Sequence, residues 1–410
     1  MELRPILSTL LRAKTAPLLI AAQVALTLAI LCNAAYIISD RLATSSRPSG
    51  VDEANSFVIA FSAARPISDK ESMQRRDVEA IRGVPGVVAA AWTNQMPMGR
   101  SGWNTCCMVT DPNAEQTGQI GAGQYMSGDS LVDAMGLKLI DGRDFLPEEI
   151  VVHDPDKEAP PLRHAILTQT LAKQLWPEEN SWAGRQFYNG TGEDATPVEV
   201  VGVVELLQTP WVPVEARQAE SSMILPRRYL DDYSQYYVRT EPGQRESVMR
   251  EVEKTLLALR SDRVLRFNRS MEQVRDRRYA GERMMAGLLI GVAGFLLLIT
   301  ASGIVGMASL WVNQRRKQIG VRRALGARRV DILRYFLLEN ALITGFGIAA
   351  GLLLALLLND LLVRELSLPR MPPAYLGAGI VFMWLLGLAA VLAPAIRAAK
   401  VPPAVATRTA

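Results

Sequence analysis

Histidine is almost missing from this 410-residue chain: His153 and His164 are the whole complement, and cysteine is limited to Cys32, Cys106 and Cys107. Neither histidine lies one helical turn from another with a glutamate beside it, so a zinc-hydrolase motif is excluded. Cys32 sits in an apolar run and Cys106 adjoins Cys107, which rules out a disulfide framework. A strained vicinal disulfide and two unpaired thiols both remain open for that pair. The chain also lacks a Gly-Lys dipeptide, so it holds no P-loop and does not hydrolyse ATP by that route. Gly99-Arg100-Ser101-Gly102 lacks the second glycine of a nucleophile elbow. Gly190-Thr191-Gly192-Glu193-Asp194 reads as a polar hairpin turn sooner than as a calcium loop. Nor is there an excess of one charge: 45 Lys and Arg face 41 Asp and Glu, for a net +4. With 49% hydrophobic residues, that balance excludes a disordered chain and a polybasic nucleic-acid binder.

What the chain has is long apolar runs. Pro17–Ser39, Met284–Val312, Tyr335–Leu358 and Tyr375–Ile396 each reach the length that crosses a bilayer, about 20 residues. Without water the backbone must satisfy its own hydrogen bonds, so each is expected to be a helix, giving an all-α membrane domain of four spans, TM1 to TM4. A cleaved signal peptide is the competing reading of Pro17–Ser39. The run exceeds the usual signal core of about 7 to 15 residues, so the helix is expected to stay. A lipoprotein anchor at Cys32 is disfavoured by Leu31, where such sites want a small residue.

Charge outside the spans sets the expected orientation. Fourteen basic residues flank the spans on one side: Arg4, Arg12 and Lys14 in segment 1–16, eight between Arg315 and Arg334, and Arg397, Lys400 and Arg408 in tail 397–410. Only Glu2 and Asp331 oppose them. Residues 40–283 are net −7, and the short loop 359–374 is balanced. Both termini and the loop 313–334 are therefore expected in the cytoplasm of a bacterial inner-membrane protein. Residues 40–283 are expected to form a periplasmic α+β domain inserted between TM1 and TM2, large enough for two subdomains.

Within that insertion Ser56–Ala63 reads as a strand, Asp69–Arg82 as an amphipathic helix and Val87–Asn94 as a second strand. Ala165–Thr168 leads into a helix Gln169–Leu175, and Pro197–Leu206 has strong β propensity. Met223–Leu225 and Tyr236–Arg239 are further strands. Arg245–Arg260 places Val248, Val252, Leu256 and Leu259 at helical spacing. Met271–Glu282 runs without Pro into TM2, either as a stalk that transmits motion or as a solvated juxtamembrane helix.

The most specific stretch is Asn313–Ala341, NQRRKQIGVRRALGARRVDILRYFLLENA. It reads as a short amphipathic helix with Ile319, Val321, Leu325, Ile332 and Leu333 as apolar contacts and bends permitted at Gly320 and Gly326. A membrane-surface helix held by anionic lipid is the plainer reading. Glu339 and Asn340 are the only strongly polar residues near the start of TM3, and Glu339 is expected to cap or pack there. Gly287 and Gly291, Ser302 and Gly306, and Gly347 and Gly351 form small-xxx-small pairs, suited either to close helix contact or to facing lipid.

Ile319-Gly320, Arg322-Arg323, Ala324-Leu325-Gly326-Ala327 and Phe336-Leu337-Leu338-Glu339 resemble the signature of the MacB/FtsX family of ABC-transporter permeases. Gln318 stands where that family usually has an acid. Leu137–Phe145, Leu167–Pro177 and Val198–Val204 resemble the periplasmic core domain of MacB-like permeases. The resemblance implies a permease subunit that binds no cofactor itself and pairs with a second permease chain, identical or not. Separate ABC ATPase subunits, carrying ATP and Mg²⁺, would dock under the loop at residues 319–327. It further implies export of a drug, peptide or siderophore, with a periplasmic adaptor and outer-membrane channel. Lipoprotein extraction is the alternative within the family. A receptor that signals without ATP is the alternative outside it, and a nucleic-acid partner is not expected.

Overall fold

The computed structural model describes residues 15–99, 102–113, 120–192, 195–211, 216–366 and 368–400. The side chains of Cys106, Cys107, Ala216, Arg217 and Leu366 lie outside that description, and so do Ser101 and the Glu193-Asp194 pair. The chain divides into two compact units, residues 1–45 with 281–410, and residues 46–280.

The first unit is helical. Its elements are α1 (Thr15–Ser45), the greater part of α7 (Met271–Gln314), α8 (Arg316–Ala324), α9 (Arg329–Leu366) and α10 (Pro373–Ala399). Four of these helices, α1, α7, α9 and α10, are long and apolar enough to cross a membrane. Because α7 is one unbroken helix from Met271, the charged stretch that precedes the second apolar run is helical throughout.

Helices α1, α9 and α10 pack around Val24, Leu28, Ile343, Ile348, Met383 and Val391. Small residues permit the close approach. A Cβ at Gly347 would lie 2.8 Å from the Ala21 carbonyl oxygen, and one at Gly351 2.9 Å from that of Ala25. Between apolar helices two asparagines find backbone partners: Asn33 Nδ2 donates to the Ala355 carbonyl at 3.1 Å and Asn340 Nδ2 to that of Gly387 at 3.0 Å. The Thr27 and Thr300 hydroxyls meet at 2.8 Å and tie α1 to α7. Most of the apolar surface of α7 is exposed. Gly287, Gly291, Ser302 and Gly306 lie on that exposed surface, and a Cβ at any of the three glycines meets nothing within 4 Å. Of the three small-residue pairs, only Gly347 and Gly351 meet another helix of this chain.

The second unit is α+β. A four-stranded antiparallel sheet has the order β13-β1-β12-β2, built from Arg263–Ser270, Ser56–Ala63, Tyr233–Thr240 and Val87–Trp92. Helices α2 (Lys70–Arg82) and α6 (Arg245–Leu259) cover one face, packing Val78, Ile81, Val252 and Leu256 against Phe57, Ile59 and Tyr236. Asp69 caps α2 by accepting from the Ser72 N–H, so the helix read from Asp69 begins one residue later. Under α2 lies a buried charge pair: Asp77 accepts from Arg263 at 2.7 Å and from the Tyr236 hydroxyl at 2.5 Å.

A second sheet runs β5-β9-β7-β10-β4-β3-β8, and β8 also pairs with β9, so six strands close on themselves while β5 (Leu139–Gly142) hangs from β9. The six are β3 (Asn104–Val109), β4 (Ile120–Met126), β7 (His164–Thr168), β8 (Gln186–Asn189), β9 (Thr196–Val204) and β10 (Ser222–Leu225). The segment around Gly190 and Gly192 connects β8 to its antiparallel neighbour β9, as a hairpin turn does. Helix α4 (Gln169–Leu175) adds Leu171, Ala172 and Leu175 to the core of this sheet. The short helices α3 (Leu131–Met135) and α5 (Ala216–Ala219) lie in connections. Finally β6 (Val151–His153) pairs in parallel with β11 (Arg227–Tyr229).

Candidate functional site

The basic loop of the first unit forms a short helix held between two turns. Arg315 leaves helical geometry after α7, yet its carbonyl accepts from the Ile319 N–H at 2.9 Å and starts α8. Arg322 and Arg323 lie in the last turn of α8, where cations offset the negative end of the helix dipole. The helix then stops at Gly326, whose φ of +99° is a left-handed conformation that side chains resist. The Gly326 and Ala327 N–H groups donate back to the Arg323 and Arg322 carbonyls. Asp331 accepts from the Arg328 N–H at 2.8 Å and begins α9, as an acid in the first turn does.

Three anchors fix the inner side of α8. Ile319 is buried with Ile332 and Phe336. Arg323 donates to the Ala399 carbonyl at the end of α10 at 3.2 Å. Arg315 donates through Nη1 to both carboxylate oxygens of Glu339, at 2.9 and 2.8 Å, and packs over Trp311. Arg322 lies over the Tyr335 ring, 5.0 Å from its centroid.

The outer side is different. Leu325 is 83% exposed and Val321, one helical turn before it, 53% exposed. Arg316, Lys317, Arg322, Arg328, Arg329 and Arg334 are exposed in the same segment. An apolar spot ringed by cations is the form of a contact surface and holds no reactive group. Among the described residues no group of three or more His, Cys, Asp or Glu side chains is placed to hold a metal ion.

The structure thus brings Ile319, Gly320, Arg322, Arg323, Ala324, Leu325, Gly326 and Ala327 into α8 and the turn that ends it, with Ile319 and Gly320 buried and Leu325 exposed, and Arg315 ties that helix to Glu339. Two expectations need correction. Gly320 makes no bend; it is a buried residue inside α8, and the turn is made by Gly326 alone. Ile332 and Leu333 belong to the first turns of α9, because the Gly326 turn separates them from α8. Arg315 was hidden in a run of basic residues. The signal for it was Glu339, since an acid within an apolar helix requires a cation in reach.

Residues 290–403 match the model of the FtsX-like permease C-terminal domain. The resemblance to MacB/FtsX permeases is borne out. The chain is 28% identical over 267 residues to the macrolide export ATP-binding/permease protein MacB of Bradyrhizobium diazoefficiens, covering 60% of this chain and 38% of that protein. It is 34% identical over 125 residues to the pyoverdine export ATP-binding/permease protein PvdT of Pseudomonas entomophila, covering 28% of this chain and 18% of that one. Among solved structures, the extracellular domain of the noncanonic ABC-type transporter YknZ from Gram-positive bacteria is similar over 52% of this chain and all of that domain. That likeness has 17% identity and a TM-score of 0.32. The chain spans from 18% to 40% of the length of the curated relatives it matches.

Proposed function

We propose that this chain is the membrane subunit of a MacB-type ABC transporter. It works as one of two permease chains in a bacterial inner membrane, with residues 46–280 in the periplasm and both termini in the cytoplasm. ATPase subunits dock on α8 and supply hydrolysis, with ATP and Mg²⁺ bound in those partners. The chain converts their closure into movement of its periplasmic unit, which drives export of a drug, peptide or siderophore through an adaptor and an outer-membrane channel.

The observation that carries this reading is α8 itself. Leu325 and Val321 face outward among cations while Ile319, Arg315 and Arg323 clamp the helix to the apolar bundle. A partner that grips the exposed side therefore pulls on α7, α9 and α10 together. The excess of basic residues beside the spans supports a cytoplasmic position for this surface. The export named for the relatives supports the direction of work.

The test is purification of the tagged chain from its native membrane in mild detergent, with mass spectrometry of what accompanies it. An ATPase subunit and a second permease chain are expected. Recovery of the chain alone under several detergents would overturn the proposal in favour of a receptor.

A further inference from the structure

The face of β6 and β11 in residues 46–280 carries a cavity and an aromatic ladder that the coupling role leaves unused. We propose that this face binds a lipophilic organic cation, one of its apolar groups in the cavity and its cationic centre beside the Trp103–Tyr229 pair. The proposal goes beyond the transporter reading and does not rest on ATPase docking.

The cavity, of about 340 Å³, has an apolar wall of Val151, Leu162 and Pro226, and its polar lining carries both signs, Glu148 and Glu149 against Arg163. Most of a small apolar group fits such a volume. The Glu149 carboxylate accepts from Arg143 at 2.6 and 2.9 Å and from the Leu146 N–H at 2.8 Å, which holds its pKa down to about 2. Glu149 therefore keeps its charge beside the cavity across the physiological range.

Val151 and His153 lie two residues apart on β6, on one face and about 6 to 7 Å from each other. From His153 the ladder continues: its ring meets Tyr229 edge-on at 5.1 Å between centroids, and Tyr229 meets Trp103 at 5.0 Å. Trp103 is 46% exposed, a large aromatic surface left in water. Burial and the neighbouring Arg227 push the His153 pKa down, so this ring adds no repelling charge.

Charge decides which ligand suits the ladder. Asp154, Asp156 and Glu158 follow His153 in the chain. The one cation among them, Lys157, is paired with Asp154 at 3.3 Å. Asp231 and Asp156 act electrostatically on Tyr229 against Lys70, which is itself paired with Asp232 at 3.5 Å. Arg227, the cation beside His153, donates to the Pro160 carbonyl at 2.9 Å. An aromatic surface among carboxylates favours a cation, which gains both from the ring face and from the acids.

The probe is tetraphenylphosphonium, titrated calorimetrically into the full chain in nanodiscs of neutral lipid, with empty nanodiscs subtracted. Saturable binding at one site is expected. Trp103→Ala should weaken it at least tenfold, Trp103→Phe should retain most of it, and Asp156→Asn with Asp231→Asn should weaken it about threefold. Val151→Arg, which fills the cavity, should abolish it. The neutral analogue triphenylphosphine oxide should bind at least tenfold more weakly. Absence of saturable binding, equal binding of the neutral analogue, or binding indifferent to Trp103→Ala would each overturn the proposal. None of these results depends on an ATPase being present.

Discussion

Arg315 and Glu339 form a nearly buried ion pair, both carboxylate oxygens within 2.9 Å of one guanidinium nitrogen, with Glu339 only 1% exposed. Arg315 starts α8 and Glu339 lies on α9, so the pair fixes the angle at which the short basic helix leaves the bundle. Removing one partner strands the other in an apolar setting, at a cost of about 3 kcal/mol or more. Arg315→Leu is therefore expected to lower the thermal midpoint of the detergent-solubilised chain more than Arg315→Leu with Glu339→Leu together. Equal losses would show that the pair carries no coupling.

The Gly347 and Gly351 contacts with α1 predict a second outcome. A Cβ at either position would enter the space of the α1 backbone, at 2.8 Å and 2.9 Å from its carbonyl oxygens. Gly347→Val and Gly351→Val should each destabilise the chain by about 1 to 3 kcal/mol through overpacking. Gly287→Val, on the exposed surface of α7, should leave the stability of a single chain unchanged. Thermal unfolding of the three variants in one detergent checks the contrast. A matching loss in Gly287→Val would contradict it.

Several of these elements were legible in the sequence, for physical reasons that differ. The strand Ser56–Ala63 and the helix Gln169–Leu175 occupy the residues their patterns indicated, the strand as a short apolar run buried on both faces and the helix because Leu171, Ala172 and Leu175 bury one face. Strand β13 shows no such pattern. It pairs with β1 across a bulge opposite Ala60 and Phe61, which places Arg266 between Leu265 and Phe267 and breaks the alternation of apolar and basic residues. Strands β6 and β11, three residues each, are too short for any period to show. In the coupling region Gly326 was legible as a bend, but Gly320 misled because a glycine inside a helix looks the same in sequence as one that ends it. Arg315 became visible only once the fold set it opposite Glu339.

Glu149 supplies a pH prediction. Its pKa, lowered to about 2 from an ordinary 4.5 chiefly by the hydrogen bonds from Arg143, makes the charged form the one that favours the fold. A depressed carboxylate stabilises above its unfolded pKa, and that contribution disappears as pH falls from about 4.5 through about 2. Residues 46–280 should therefore lose stability over that window, and Glu149→Gln should flatten the loss. Unfolding midpoints of the full chain measured from pH 5 to pH 2 test this, and parallel curves for the two proteins would contradict it.

Gly326 predicts a separation of folding from coupling. Its φ of +99° costs a side chain about 1 to 2 kcal/mol, while the space around it is open. Gly326→Val should shift the thermal midpoint slightly and reduce the ATPase response of the reconstituted complex several-fold, because α8 ends in a different direction. An unchanged response would mean that the turn is not needed for docking.

Leu325→Asp, at the C-cap of α8, tests whether the exposed side of that helix carries force from an ATPase to the membrane helices. Leu325 is exposed, so the substitution should leave the thermal midpoint as it was. ATP hydrolysis is then measured for the complex of permease and ATPase in nanodiscs, with the wild-type chain beside the variant. The variant is expected to lose most of the permease-dependent ATPase rate and to release the ATPase on purification. A variant that keeps both the rate and the partner would show that force does not pass through this surface.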